Sequence, residues 1–333
     1  MASVLVSVAL FAAALGALLV AADAFTDAAE RLGLATGVSP FLVGATVVAG
    51  GTSLPELVSG VVAAAADAPD IVFGTVVGSN VANLCLVVGL AAVVGGELRV
   101  DRELMRVDLP LLVASAVFLT VAVLDGAFAW YEGVLGLAGL AVYVHFTLSR
   151  EERLDEVVGD LVEEHVREEV AADGEVAELD DVADEVTLGP RTVALLVASL
   201  AVVVVAADQL VRSILEVAEV VGVGSGVVSM TAVALGTSLP EVAVSVAAVR
   251  RGMAEIALGN VLGSNVFNTF AVVGVPSFLG TLAVATTVAT FAVPVMLLAT
   301  LLYYFVTQDR EITRWEGLAL LLLYATFVAN LPL

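Results

Sequence analysis

The chain has 333 residues, 60% of them hydrophobic, and a mean hydropathy of +1.05, well beyond the roughly 45–50% apolar share of soluble domains. Its formal charge is −23 and it contains no lysine, so nucleic acid is not an expected partner. A single cysteine, Cys85, excludes disulfides within the chain, a cysteine metal site and a redox pair.

Apolar runs of about 20 residues cross a bilayer only if their backbone groups are satisfied internally, and these unalternating Val, Leu and Ala runs predict helices. In chain order the predicted spans are 3–22, 40–66, 71–95, 107–124, 127–148, 191–211, 225–249, 255–279, 287–306 and 314–332. The first is kept as a helix rather than a signal peptide, because no basic residue precedes it and Asp23 closes it where small residues would mark a cleavage site. His145 and His165 read as a span end and a solvated loop. Asp23, Asp208, Asp108, Glu132 and Glu255 are expected at span ends.

Between Glu151 and Glu185 sixteen acidic residues meet only Arg153 and Arg167, a composition that buries no core. This segment is expected to be a solvated connector; the alternative, a regulatory cation-binding segment, lacks an EF-hand pattern. Acid excess without lysine also resembles proteins of salt-loving microbes.

If the spans alternate, one side holds Arg31, Arg99, Arg102, Arg106, Arg150, Arg153, Arg167, Arg191, Arg250, Arg251, Arg310 and Arg314, and the other only Arg212. The positive-inside rule then places the central loop in the cytoplasm and both termini outside. Two five-helix halves follow in opposite orientations. The prediction is an all-α polytopic protein of the cell membrane, with ten transmembrane helices as two inverted five-helix repeats, 1–148 and 191–333, joined by an acidic cytoplasmic linker at 149–190.

The halves match at a constant offset of 185 residues: Asp23 with Asp208, Thr52 with Thr237, Ser53 with Ser238, Pro55 with Pro240, Glu56 with Glu241, Gly78 with Gly263, Ser79 with Ser264, Asn80 with Asn265 and Asn83 with Asn268. GTSLPE recurs in the second span of each half and GSN in the third. A carboxylate at mid-membrane costs roughly 2.5–3.5 kcal/mol on insertion scales, so two in matched places point to an ion pathway. Each proline lacks an N–H and clashes with the carbonyl four residues back, Gly51 or Gly236, so a kink or break is expected there. The carbonyls of Ala49, Thr52, Ala234 and Thr237 become candidate donors.

Ser79 with Asn83, and Ser264 with Asn268, lie four apart and share a helix face. Small polar residues also glue membrane helices together, and both readings stand for these four. Two carboxylates with hydroxyl, amide and carbonyl oxygens form the set calcium prefers; sodium uses subsets, and transition metals would recruit His or Cys.

These residues resemble the sodium/calcium exchangers of the cation/calcium exchanger superfamily, in a prokaryotic form, over essentially the whole membrane part. The resemblance implies ten helices, an intracellular loop between spans five and six, and cation sites at mid-membrane. Glu56 and Glu241 would be the central carboxylates. Thr52, Thr237, Ser53, Ser238, Ser79, Ser264, Asn83 and Asn268, with the Ala49 and Ala234 carbonyls, would complete the calcium and sodium sites. Asn268 departs from the Asp that well-known exchangers carry there, which removes a titratable group. The expected function is sodium/calcium antiport by alternating access, normally extruding calcium, with spans one and six sliding against the rest as in the family. Neither enzymatic activity nor a cofactor is expected; calcium, sodium and the lipid bilayer are the partners. The rivals are a proton/calcium antiporter of the same superfamily and a passive cation channel, with a membrane-bound hydrolase weaker still.

Overall fold

The computed structural model describes residues 2–99, 108–149, 189–221, 236 and 238–330. No proline precedes Pro40, and helix α1 runs unbroken over Ala2–Thr36 until Gly37 takes a φ of +69°. Asp23 therefore lies inside α1 and does not close it. Its charge is met by Arg251, whose guanidinium approaches Asp23 at 2.7 Å and Asp27 at 3.1 Å. The hydrogen bond to Asp23, ahead of that to Asp27, holds the Arg251 pKa above its usual value.

Helices α2 (Pro40–Ala65), α3 (Pro69–Gly95), α4 (Asp108–Ala122) and α5 (Trp130–Ser149) follow. After the acidic connector, which lies outside the described residues apart from its ends, come α6 (Pro190–Val221), α7 (Leu239–Arg250), α8 (Ala254–Phe278), α9 (Val288–Asp309) and α10 (Arg314–Ala329). Proline opens α2, α3 and α6, where its missing N–H is one that helix starts leave unpaired anyway. Of the predicted span at 225–249, only Gly236 and 238–249 are described.

Among the described residues seven helices are long and apolar enough to cross a membrane: α1, α2, α3, α5, α6, α8 and α9. The chain is a polytopic helical membrane protein. Its centre is α3 and α8, whose most apolar windows are 83% and 94% buried, against 22–28% for α1, α5, α6 and α9. The outer helices turn Val205, Leu322 and Leu298 outward, as a bilayer-facing surface requires.

Helix α8 crosses α2 in backbone contact. A Cβ on Gly263 would collide with the Ala45 carbonyl oxygen, and one on Gly259 with the Phe41 carbonyl oxygen. Such close approach between helices is the use membrane proteins make of small residues.

Two structural details repeat at the offset seen in the sequence. The turn after α2 is closed by Ala68 N–H to Ala63 C=O and Asp67 N–H to Ala64 C=O, with Asp67 left-handed at φ +56°. The turn after α7 is closed by Met253 N–H to Ala248 C=O and Gly252 N–H to Val249 C=O, with Gly252 at φ +81°. These are the paired bonds of a Schellman helix end. Among the described residues four short strands form two antiparallel ladders. Strand β1 (Glu97–Arg99) pairs with β4 (Glu311–Thr313), with Leu98 opposite Ile312. Strand β2 (Ala127–Phe128) pairs with β3 (Leu282–Ala283), with Ala127 opposite Ala283. Adding or subtracting 185 turns each of these ladders into the other.

Candidate functional site

Both GTSLPE segments lead into a helix: α2 breaks and restarts within the first, and α7 begins within the second. In α2 a regular stretch ends at Thr52, Ser53 takes φ −89°, ψ 4°, and a new helix begins at Leu54. Ser238 takes φ −90°, ψ 0° just before α7 begins at Leu239. The break thus falls two residues before each proline, not at it. Pro55 and Pro240 occupy the first turn of the restarted helix, where a lost N–H costs nothing. Glu56 and Glu241 follow in that same first turn, where the helix dipole favours a negative charge.

Both glutamates are fully buried, as are Thr52, Ser53, Ser238, Asn83, Ser264 and Asn268, and Ser79 is nearly so. Ser53 Oγ donates to Glu241 Oε1 at 3.3 Å, joining the two halves. Ser79 Oγ donates to Glu56 Oε1 at 3.4 Å within the first half. The structure therefore brings α2, α3 and α7 together around the two carboxylates. Asn83 and Asn268 each lie in a π-helical stretch, Ala82–Val87 and Asn268–Val272. Such stretches widen a helix by one residue and frequently mark functional sites. A third, Gly44–Val48, precedes the break in α2.

Several of these atoms have no hydrogen-bond partner among the described residues: Glu241 Oε2, Ser238 Oγ, and both side-chain polar atoms of Asn83 and Asn268. A buried polar atom left without a partner costs about 1–3 kcal/mol, so a cluster of them demands a use. The Ala49 carbonyl accepts from Ser53 N–H at 3.0 Å, and Thr52 Oγ1 lies 3.4 Å from the same oxygen. Ala234 and Thr237 lie outside the described residues. Among the described residues no three His, Cys, Asp or Glu side chains form a metal-binding group, and the oxygens gathered here come mainly from hydroxyls and carboxamides.

The model of the family described as sodium/calcium exchanger protein matches residues 6–149 and 191–331. The chain belongs to the sodium/calcium exchanger family. It is 32% identical over 336 residues to sodium/calcium exchanger MaX1 of Methanosarcina acetivorans, covering 93% of each chain. It is 30% identical over 258 residues to inner membrane protein YrbG of Escherichia coli, covering 78% of this chain and 75% of that one. Among solved structures, sodium-calcium exchanger NCX_Mj soaked with 10 mM Na+ and 10 mM Sr2+ superposes with a TM-score of 0.81 at 30% identity, over 99% of this chain and 100% of that one.

Not every duplicated polar residue faces the carboxylates of this family member. Asn80 Nδ2 donates to Thr269 Oγ1 at 2.9 Å and to the Asn265 carbonyl at 3.4 Å, tying α3 to α8. Asn265 Nδ2 donates back along its own helix to the Val261 carbonyl at 2.8 Å. Asp208 pairs with Arg212 at 2.7 Å on an exposed face of α6. Glu132 caps α5 by accepting from Ala129 N–H at 2.7 Å. Asp108, the first residue of α4, is buried rather than solvated.

One polar residue at the site lacks a matching partner in the repeat. Asn260 on α8 is fully buried, and its carboxamide accepts from Thr52 and Ser264. The available signal is its place one turn before Ser264, in GNVLGSN. The position 185 residues earlier is Thr75, so duplication does not single it out.

Proposed function

We propose that this protein is an antiporter that exchanges sodium for calcium across the cell membrane by alternating access and normally extrudes calcium. The observation that carries the reading is the set of buried oxygens on α2, α3, α7 and α8: Glu56 and Glu241 in the first turns of helices, bonded by Ser79 and Ser53, with Glu241 Oε2, Ser238 Oγ and the Asn83 and Asn268 carboxamides buried without partners among the described residues. Two carboxylates balance one divalent charge, and the hydroxyl and amide oxygens raise the coordination number toward the six to eight that calcium takes. Sodium occupies subsets of the same oxygens. Glu56, Glu241, Thr52, Thr237, Ser53, Ser238, Ser79, Ser264, Asn83 and Asn268, with the Ala49 and Ala234 carbonyls, are the proposed ligands. Because the two ions share oxygens, binding of one displaces the other. A site empty of both leaves two like charges facing each other, which opposes the switch between sides.

Ten spans in two inverted five-helix repeats are supported by the ladders and turns that recur at the 185-residue offset. Pairing of β1 with β4 brings their two loops together, and pairing of β2 with β3 brings theirs together. That agrees with alternating spans, with Arg99, Arg310 and Arg314 on the cytoplasmic face and both termini outside.

Alternating access is supported by a difference between the halves. Helix α1 is clamped to the end of α7 through Arg251 with Asp23 and Asp27. Between α6 and the second part of α2, in contrast, lies a cavity of about 910 Å³ lined by Gly51, Pro55, Val58, Ser59, Leu200, Val204, Asp208 and Pro240. One half closed while the other stands apart is what a two-state carrier built from inverted halves requires.

The test uses purified protein in sodium-loaded vesicles. Calcium uptake driven by an outward sodium gradient, and accelerated by calcium on the far side, is the expected result. Uptake indifferent to sodium but driven by a pH gradient would refute sodium coupling. Uptake without acceleration by calcium on the far side would indicate a channel.

A further inference from the structure

A hydroxyl that serves as a cation ligand must aim a lone pair at the ion, so its hydrogen needs an acceptor elsewhere. In a buried site that acceptor has to be built in. Thr52 Oγ1 lies 3.2 Å from Asn260 Oδ1, and Ser264 Oγ lies 3.4 Å from the same atom. A carboxamide oxygen has two lone pairs, and these two hydroxyls occupy both. The other end of the amide is held too: Asn260 Nδ2 donates to Ser245 Oγ at 3.0 Å. Asn260 itself is held by the α2–α8 crossing, since a Cβ on Gly44 would lie 3.1 Å from its backbone nitrogen.

We infer that Asn260 is a positioning residue for the ion site: its carboxamide oxygen takes the hydroxyl hydrogens of Thr52 and Ser264 and so turns both hydroxyl oxygens into acceptors for the cation. The inference rests on the proposed ligand set and adds a residue behind it. The same bonds govern the Ala49 carbonyl. Thr52 Oγ1 also lies 3.4 Å from Ala49 O and within hydrogen-bonding reach of the Glu241 carboxylate, and donation to Asn260 instead leaves the second lone pair of that carbonyl and the carboxylate for the ion. One amide thereby orients three proposed ligands on two helices.

The device belongs to one half alone. At the offset of 185, Asn260 corresponds to Thr75 and Ser245 to Gly60. Thr75 Oγ1 is buried without a hydrogen-bond partner among the described residues. The Asn260 side of the site is thus arranged before an ion arrives. Substitution there alters affinity through Thr52 and Ser264, not through direct coordination.

The experiment measures calcium and sodium competition on purified, monodisperse protein for Asn260→Leu, Asn260→Asp, Thr52→Val and the double variant Asn260→Leu/Thr52→Val, with Glu56→Gln in parallel. Asn260→Leu keeps the volume but offers no acceptor and is expected to weaken calcium binding at least tenfold. Asn260→Asp keeps the acceptor and should restore affinity to within threefold of the original. If Asn260 acts through Thr52, the double variant is scarcely weaker than the worse single variant. Full additivity of the two single effects, or an Asn260→Leu protein with calcium and sodium affinities within twofold of the original, would overturn the inference. Should Asn260→Leu misfold, failure of Asn260→Asp to hold affinity within threefold overturns it as well. Undiminished calcium binding by Glu56→Gln would instead sink the ligand assignment, so the two failures are told apart.

Discussion

Ser53 and Glu241 meet at 3.3 Å although 188 residues separate them, the hydroxyl of one half donating to the carboxylate of the other. The bond spans two helix breaks: Ser53 is itself the break in α2, and Glu241 lies in the first turn after the break before α7. Removing either partner has different consequences. Glu56→Gln or Glu241→Gln removes one of the two charges that balance calcium and is expected to abolish exchange while leaving insertion and folding intact. Ser53→Ala removes one bond to a charged group, worth about 1.5–3 kcal/mol, and should weaken calcium binding about ten- to a hundredfold. Calcium titration of the three variants checks the order; near-normal exchange by both glutamine variants would remove them as ligands.

Asn268 stands where the matched position in the first half is also Asn, so the two Glu are the only carboxylates in the repeated motifs. Asn268→Asp adds a third negative charge beside them. Like charges disfavour full ionisation, and a proton becomes a competitor for the site. Exchange by the variant should fall steeply below about pH 7 while the parent protein changes less. Identical pH profiles would show that position 268 does not face the carboxylates.

Gly263 has no room for a side chain: its Cβ would collide with the Ala45 carbonyl oxygen and meet the Ala49 Cβ at 2.7 Å. Those atoms are backbone or belong to a proposed ligand residue, and neither swings away. Gly263→Val should destabilise the protein by at least about 1–3 kcal/mol, as overpacking does. Gly16→Ala, on an open part of α1 with nothing within 4 Å, should be neutral or slightly stabilising. Thermal unfolding in detergent separates the two.

At the β1–β4 ladder the exposed Glu311 shares a hydrogen bond with Glu97, which raises its pKa above 4.5, and the charges of Glu97, Asp309 and Glu316 add to the shift. An acid with a raised folded-state pKa binds more protons folded than unfolded. Its contribution is therefore present below about pH 4.5 and lost as pH rises through the folded value. Glu311→Gln should melt at or above the parent temperature near neutral pH, with the difference vanishing near pH 4 and shrinking in high salt. A pH-independent difference would contradict this origin.

The connector has a composition that cannot build a core. Deleting residues 155–184 is expected to spare exchange and at most alter its regulation. Loss of transport in correctly inserted protein would overturn that expectation.

The apolar runs and the doubled GTSLPE and GSN segments made the helices and the buried carboxylates legible, because hydrophobicity and polar exceptions to it are strong signals in a membrane. Boundaries were less so. Asp23 looked like a terminus, yet a charged residue inside a helix is tolerated when Arg251 reaches it, a contact across 228 residues that no local pattern carries. The ladders were invisible, since strands of two or three residues have no periodicity. Asn80 and Asn265 matched as well as Asn83 and Asn268, but the Asn80 side chain ties α3 to α8 and the Asn265 side chain bonds along its own helix, whereas neither polar atom of the Asn83 and Asn268 side chains has a hydrogen-bond partner among the described residues. Duplication marked both roles alike and passed over Asn260.

The strand pairing described above has the arithmetic of an isologous dimer. In such a dimer, if residue i of one copy meets residue j of the other, then j of the first meets i of the second. Glu97 meets Thr313, and Phe128, which corresponds to Thr313, meets Leu282, which corresponds to Glu97. In these two ladders one polypeptide thus repeats the contact pattern that two identical subunits would make. Within a single chain the matched positions can differ: Asn260 and Ser245 stand at one pair, Thr75 and Gly60 at the other. A symmetric pair of separate chains would have to carry both or neither.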